Sequence, residues 1–185
     1  MNRGQKLESK IPQLHIFPRR KNAQMKISFG MIFSIILIII FLTFAVYGIM
    51  KFLNIVDATK IGKFKGDLQT DIDNMWKNPT YGEEDYSYSL PPKITHVCFM
   101  EGSIKSGGKD SRYYDDLQFN YFGNENMFFY PVEAAEELRS FEMKHLNITK
   151  TTKEGERNPY CIKNDDGKVR IIIEKNYGDR LPSIK

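Results

Sequence analysis

The sequence has no charged residue from Ile27 to Met50, a run of 24 residues. As an α-helix rising about 1.5 Å per residue, this run would extend roughly 36 Å, enough to cross the ~30 Å hydrocarbon layer of a bilayer. A buried core helix rarely needs so long an uncharged run, and a cleaved secretion signal has a shorter apolar core that ends at a small-residue cut site. The sequence YGIMKFLNIV at the end of the run offers no such site. We therefore predict a transmembrane helix, the anchor segment, at residues 27–50.

The sequence also lacks the motifs of common catalytic and metal-binding sites. No CxxC pair, Gly-rich phosphate loop, nucleophile elbow or HExxH motif is present. The three histidines are not at metal-ligand spacing: His15, His96 and His145. Three carboxylate clusters could supply oxygen ligands to calcium, although solvated turns explain them more simply: residues 83–85, Asp115-Asp116 and Asp165-Asp166. We predict a protein that is not an enzyme and uses no cofactor or metal.

Positive charge is concentrated before the anchor segment, in a basic cytoplasmic leader at residues 1–26. The leader holds seven Lys/Arg and one acid, whereas residues 51–185 hold twenty Lys/Arg and twenty-two Asp/Glu. Because binding nucleic acid needs a basic face on the folded domain, we predict no nucleic-acid partner. The predicted partner of the anchor segment is the lipid bilayer.

Cysteine is scarce, and its placement bears on the compartment. Cys98 and Cys161 are the only two, and both follow the anchor segment. A disulfide between them would stabilise the fold by roughly 4 kcal/mol and would form only in an oxidising compartment. Two buried free thiols are the alternative. Asn147 begins an N-glycosylation sequon, which is either a modification site or a chance match. With the basic leader, these features favour a single-pass protein of the cell membrane, with a cytoplasmic N-terminus and an extracytoplasmic C-terminal domain.

The helical pattern continues past Met50 into an amphipathic helical stem, residues 51–77. Apolar residues recur every three or four positions: Ile61, Phe64, Leu68, Ile72, Met75 and Trp76. Asn78-Pro79 then supplies a helix stop. The pattern predicts one helix from about Ile27 to Lys77, whose stem packs on the C-terminal domain or on a neighbouring subunit.

Residues 78–185, the head, change from helical to alternating periodicity. Strands are predicted at 86–90, 93–100, 117–121, 127–130 and 141–148, with a short helix at 131–138 and a last hairpin around Asp165-Asp166-Gly167. The predicted fold class is α+β: a long N-terminal transmembrane and amphipathic helix, with a small antiparallel sheet of four to six strands packed on its C-terminal half. The aromatic run Phe128-Phe129-Tyr130 is interpreted as core strand rather than as a binding surface.

Residues 19–77 resemble the type IV pilin and archaellin class, particularly its archaeal members. The shared pattern is a basic leader, a small residue, Gln, and a long apolar helix that becomes amphipathic and carries a β-rich head. In that class a membrane peptidase cuts before the apolar helix, which later packs in a filament core. The resemblance implies that Ala23 precedes the cut and that Gln24 is the new N-terminus. Asn22 stands where the class usually has a basic residue, and Ser28, rather than Glu, occupies the fifth mature position.

Two main functions remain open, beside a third in which the chain is an accessory subunit of a secretion or envelope complex. The first is an uncleaved, membrane-anchored protein whose extracytoplasmic head interacts with an envelope protein without catalysing a reaction. The second, implied by the resemblance, is a pilin-like minor filament subunit that is processed before Gln24 and self-associates through its helix.

Overall fold

The computed structural model describes residues 28–185 of the chain. The chain divides into two compact units, one that ends at Ala45 and one from Val46 to Lys185. The helices are α1 (Phe29–Lys77), α2 (Tyr114–Phe119) and α3 (Ile148–Thr151). The strands are β1 (Gly82–Ser89), β2 (His96–Phe99), β3 (Met127–Tyr130), β4 (Ser140–Phe141), β5 (Tyr160–Lys163), β6 (Lys168–Lys175) and β7 (Ser183–Ile184). Short 3₁₀ turns cover Ser111–Tyr113, Val132–Leu138 and Lys153–Gly155.

The predicted long helix is confirmed as α1 over the described residues. Its buried residues are five members of the predicted apolar stripe: Ile61, Phe64, Leu68, Ile72 and Met75. The helix ends where the sequence predicts, since Asn78 still donates its N–H to the carbonyl of Asn74 at 3.0 Å and Pro79 cannot continue the pattern. The spacing of apolar residues alone therefore identifies the buried face of the stem.

Within residues 28–185, seven strands form two antiparallel sheets, with the orders β1-β6-β7 and β4-β3-β2-β5. β1 and β6 pair over eight residues, from Gly82 opposite Lys175 to Ser89 opposite Lys168. The α+β class is confirmed. The prediction of a single sheet of four to six strands is wrong, because β6 pairs with β1 in one sheet and β5 pairs with β2 in the other.

Both sheets pack on the stem in one hydrophobic core. Val169, Ile171 and Ile173 of β6, which the alternating pattern places on one face, are fully buried against it. From the second sheet, Val97 and Phe99 of β2 join the same core. The stem is therefore an integral part of the head's core.

The opposite face of the second sheet forms a smaller core with α2. Because side chains alternate along a strand, Cys98 and Phe128 point away from the stem. They lie in a cluster with Tyr113 and Leu117, all at most 7% exposed. The second sheet is thus covered on both faces, by the stem and by α2.

The strand predicted at 117–121 is wrong, because its first residues belong to α2. Leu117 is buried but Phe119 is 86% exposed, so the alternating apolar residues do not share a buried face. Asp115 and Asp116 lie in the first helical turn, where negative charge is favourable.

The strand predicted at 141–148 is wrong beyond its first residue, since β4 ends at Phe141. His145 has a φ of 59°, in the left-handed region that extended strands do not use. Asn147 then caps α3, its side-chain oxygen accepting the N–H of Lys150 at 3.0 Å.

The turn at Asp165-Asp166-Gly167 is present, but the predicted hairpin is wrong. Asp166 and Gly167 have φ values of 49° and 88°, and Asp165 and Lys168 exchange backbone hydrogen bonds of 2.9 and 3.0 Å. Beyond this bridge, β5 joins β2 and β6 joins β1 in separate sheets. The short helix predicted at 131–138 is replaced by two short 3₁₀ turns within Val132–Leu138, separated at Glu136, whose φ is 52°.

Candidate functional site

The anchor segment is exposed wherever the structure describes it. Its large apolar side chains range from 36% exposed at Leu37 to 85% at Phe29. Ser34 and Thr43 donate their hydroxyls to carbonyls one turn earlier in the helix, both at 2.8 Å, so these polar groups are satisfied locally. Among residues 28–185, α1 is the one helix that is long and apolar enough to cross a membrane, judged by length and composition. A surface of this kind suits lipid better than water.

The stem is held to the head by aromatic packing around Phe64. This ring is 1% exposed and makes edge contacts with Tyr88 and Phe129, at centroid distances of 5.3 and 5.7 Å. Tyr88 also donates its hydroxyl to Asp71 of the stem at 2.7 Å. Burial, followed by this hydrogen bond, raises the pKa of Tyr88, so the phenol stays a donor at neutral pH.

A polar clamp joins the stem to the loop before α3, and no sequence motif indicated it. The Gln69 amide forms hydrogen bonds with both backbone groups of Lys144, donating to the carbonyl at 3.0 Å and accepting from the N–H at 2.8 Å. His145 Nδ1 lies 2.9 Å from Asp73 Oδ1, and its ring stacks on Trp76 at a centroid distance of 3.7 Å. The hydrogen bond with His145 is the largest cause that lowers the pKa of Asp73. His145, whose φ is 59°, thus places its ring against the helix.

The two cysteines form a disulfide across neighbouring strands. Cys98 of β2 lies directly opposite Cys161 of β5, and the bridge joins residues 63 apart in sequence. Cys98 is fully buried and Cys161 is 7% exposed. Asp110 Oδ2 accepts the N–H of Cys161 at 3.2 Å, which ties the loop before α2 to the bridged strand.

The sequon lies on the surface of the head. Asn147 is half-buried and uses its side-chain oxygen as the cap of α3, while Thr149 is exposed. Both line an open cavity of about 560 Å³, together with Lys150, Lys153 and two glutamates. The Asn147 oxygen is therefore engaged in the cap, and the residue borders open solvent.

The histidines do not form a common site. His96 Nδ1 lies 2.9 Å from the Thr95 hydroxyl, and burial lowers the pKa of His96. His145 belongs to the clamp on the stem, and His15 lies outside the described residues. Within residues 28–185, no group of three or more His, Cys, Asp or Glu side chains could hold a metal ion.

Acids in two of the carboxylate clusters form ion pairs on the surface. Glu83 pairs with Lys185 at 2.7 Å, and Asp165 pairs with Lys163 at 2.6 Å. Asp85 pairs with Arg170 across the first sheet. Asp115 and Asp116 lie in the first turn of α2. These acids are engaged in ion pairs or helix ends rather than gathered around one point.

The aromatic run on β3 is core strand, as predicted, with Phe128 and Phe129 fully buried. The most exposed aromatic residues of the head lie elsewhere: Phe119, Phe122 and Tyr177 are 86%, 80% and 89% exposed. Phe119 borders an open cavity of about 340 Å³ that Asp116 and Glu133 also line. Sequence reasoning missed this surface, because it assigned Phe119 to a buried strand.

The leader, including the cut implied between Ala23 and Gln24, lies outside the described residues. No protein-family model matches the chain, and neither a curated protein nor a solved structure matches it.

Proposed function

We propose that this protein is a single-pass, non-enzymatic protein of the cell membrane, with its N-terminus in the cytoplasm and an extracytoplasmic interaction domain. The single observation that carries the proposal is the change along α1. Its large apolar side chains are exposed throughout the described anchor segment, whereas the stripe from Ile61 to Met75 is at most 5% exposed. One helix thus presents an apolar surface suited to lipid and then an amphipathic surface suited to a protein core.

Two features support the orientation. The Cys98–Cys161 disulfide belongs in an oxidising compartment, so it favours a head outside the cytoplasm. The seven basic residues of the leader favour retention of the N-terminus in the cytoplasm.

The exposed aromatic pair Phe119 and Phe122 supports an interaction role for the head. These two phenyl rings, only three residues apart, are left largely uncovered by the rest of the described chain. An envelope protein is the class of partner that would bury them.

Labelling intact cells tests the orientation. A membrane-impermeant amine reagent is expected to modify Lys163, whose side chain is 71% exposed, and to spare Lys6 and Lys10 of the leader until the cells are lysed. Labelling of the leader but not the head in intact cells would overturn the orientation. Labelling after lysis is the internal control, because it makes all three lysines available.

A filament subunit is the second candidate, and one feature of the stem favours it. Gly62 and Gly66 are exposed, one turn apart, and apart from adjoining residues and the helix backbone nothing lies within 4 Å of the position where a Cβ would stand. Such positions allow the backbone of another helix to approach closely. A processed subunit could therefore pack stem against stem.

N-terminal sequencing of the membrane-extracted protein separates the two candidates. A chain that begins at Gln24 would support the pilin-like subunit. An intact Met1 would leave the uncleaved anchored protein.

A further inference from the structure

Beyond the anchor segment, α1 stays apolar and exposed for more than one further turn. Phe52, Leu53 and Ile55 are 64%, 56% and 63% exposed, although the anchor was predicted to end at Met50. The first buried residue of α1 is Ile61. The large apolar side chains of this turn are therefore not covered by the head.

The turn is amphipathic about the helix axis. Lys51 and Asn54 lie three residues apart and share one side of the helix. Phe52 and Val56, four residues apart, share another side, and Ile55 lies between the two sides. Lys51 Nζ lies 6.0 Å from the centre of the Tyr47 ring. Lysine and tyrosine at such a position are typical of the membrane–water interface, where the apolar part of each side chain lies in lipid and its polar end reaches water.

The length of the apolar helix indicates where this turn lies. From Phe29 to Val56 the helix would extend about 42 Å at ~1.5 Å per residue, close to the ~40–45 Å thickness of a bilayer that includes its headgroups. The next charged residue after Lys51 follows immediately, at Asp57, which pairs with Lys93 at 2.9 Å.

We propose that residues 51–56, the junction, lie in the outer headgroup and upper acyl region of the bilayer. Phe52 and Ile55 contact acyl chains, and Lys51 reaches the lipid phosphates. The inference rests on the proposed membrane anchor and extends it, because the lipid-contacting surface then ends at Val56 instead of Met50.

Depth-dependent fluorescence quenching tests the inference on the full chain. Trp76 is the single tryptophan, so a Trp76→Phe background allows one reporter at a time. Phe52→Trp and Ile55→Trp report on the junction, and Ile40→Trp reports on the middle of the anchor. Phe119→Trp is the matched control, an exposed aromatic position in the head. Each variant is reconstituted in phosphatidylcholine vesicles brominated either near the headgroup or near the end of the acyl chain.

The junction reporters are expected to be quenched about twofold more by bromine near the headgroup than by bromine near the chain end. Ile40→Trp should show the reverse preference, and Phe119→Trp should not be quenched. Unquenched junction reporters beside a quenched Ile40→Trp would overturn the inference and leave the anchor standing. If Ile40→Trp were also unquenched, the proposed anchor itself would fail. Because Phe52, Ile55 and Ile40 are exposed, these substitutions leave the head's core intact.

Discussion

The ammonium group of Lys175 donates a hydrogen bond of 2.9 Å to the backbone carbonyl of Trp76, at the C-terminal end of α1. The same nitrogen reaches the carbonyls of Met75 and Asn78 at 3.3 and 2.9 Å, and Lys175 is 7% exposed. The last carbonyls of a helix have no hydrogen-bond donor within the helix and carry partial negative charge. A buried ammonium group supplies both the donor and the opposite charge. This contact fastens the end of β6 to the end of the stem.

Lys175→Met is expected to lower the free energy of unfolding by about 1–3 kcal/mol, because it leaves buried carbonyls without a donor. The change is measured by denaturant titration of the full chain in detergent, followed through the fluorescence of Trp76. Lys185→Met is the matched control, since Lys185 pairs with Glu83 on the surface, and it should leave the midpoint unchanged. Equal midpoints for the two variants would show that the Lys175 contact does not stabilise the stem.

Phe64→Ala should destabilise the head by about 3–5 kcal/mol, because it removes a fully buried ring and its two edge contacts. Phe119→Ala, at a position 86% exposed, should change stability little. Thermal unfolding by near-ultraviolet circular dichroism compares the two. A small loss for Phe64→Ala would mean that the stem does not complete the core of the head.

Replacing both Cys98 and Cys161 with alanine should lower stability by roughly 4 kcal/mol, since the bridge closes a long loop in the unfolded chain. In the native protein, reductant should act slowly, because the two residues are 0% and 7% exposed. Denaturant titration of the full chain measures the loss of stability, and alkylation with a large maleimide on a non-reducing gel follows the reduction of the native bridge. Rapid reduction without denaturant would contradict the buried position of the bridge.

The lowered pKa of Asp73 predicts that the fold loses stability at acid pH. Its pKa is lowered mainly by the hydrogen bond with His145, so the folded state binds the proton less readily than the unfolded state does. The stabilisation is therefore present above the ordinary aspartate pKa of 3.8 and is lost as the pH falls through the lower folded value. Asp73→Asn should show a smaller loss of stability between neutral pH and pH ~2 than the native chain. Parallel acid profiles would show that the clamp makes no such contribution.

The long-range features that sequence reasoning predicted correctly are those set by periodicity. The stripe from Ile61 to Met75 appears at helical spacing, and Val169, Ile171 and Ile173 alternate, so each pattern identifies one buried face. The placement of the two cysteines also indicated a disulfide, because both follow the anchor segment, on the side that is predicted to be oxidising.

The features that sequence reasoning missed depend on which elements meet. Leu117, Phe119 and Tyr121 alternate like a strand, yet this segment begins in a helix that buries Leu117 and leaves Phe119 exposed. The apolar runs that flank Asp166 predict two strands, but which strands pair depends on the whole sheet. β6 pairs with β1 instead of β5. The left-handed backbone of His145 has no signature in the sequence.

The central claim is that α1 fixes this protein in a bilayer with its head outside the cytoplasm. The most direct measurement is alkaline extraction of membranes from cells that make the full chain, combined with protease added to intact cells from outside. The account predicts that the chain stays in the extracted membrane pellet and that external protease removes the head while a short N-terminal fragment survives. Recovery of the whole chain in the soluble fraction, protected from protease and with Cys98 and Cys161 as free thiols, would contradict it.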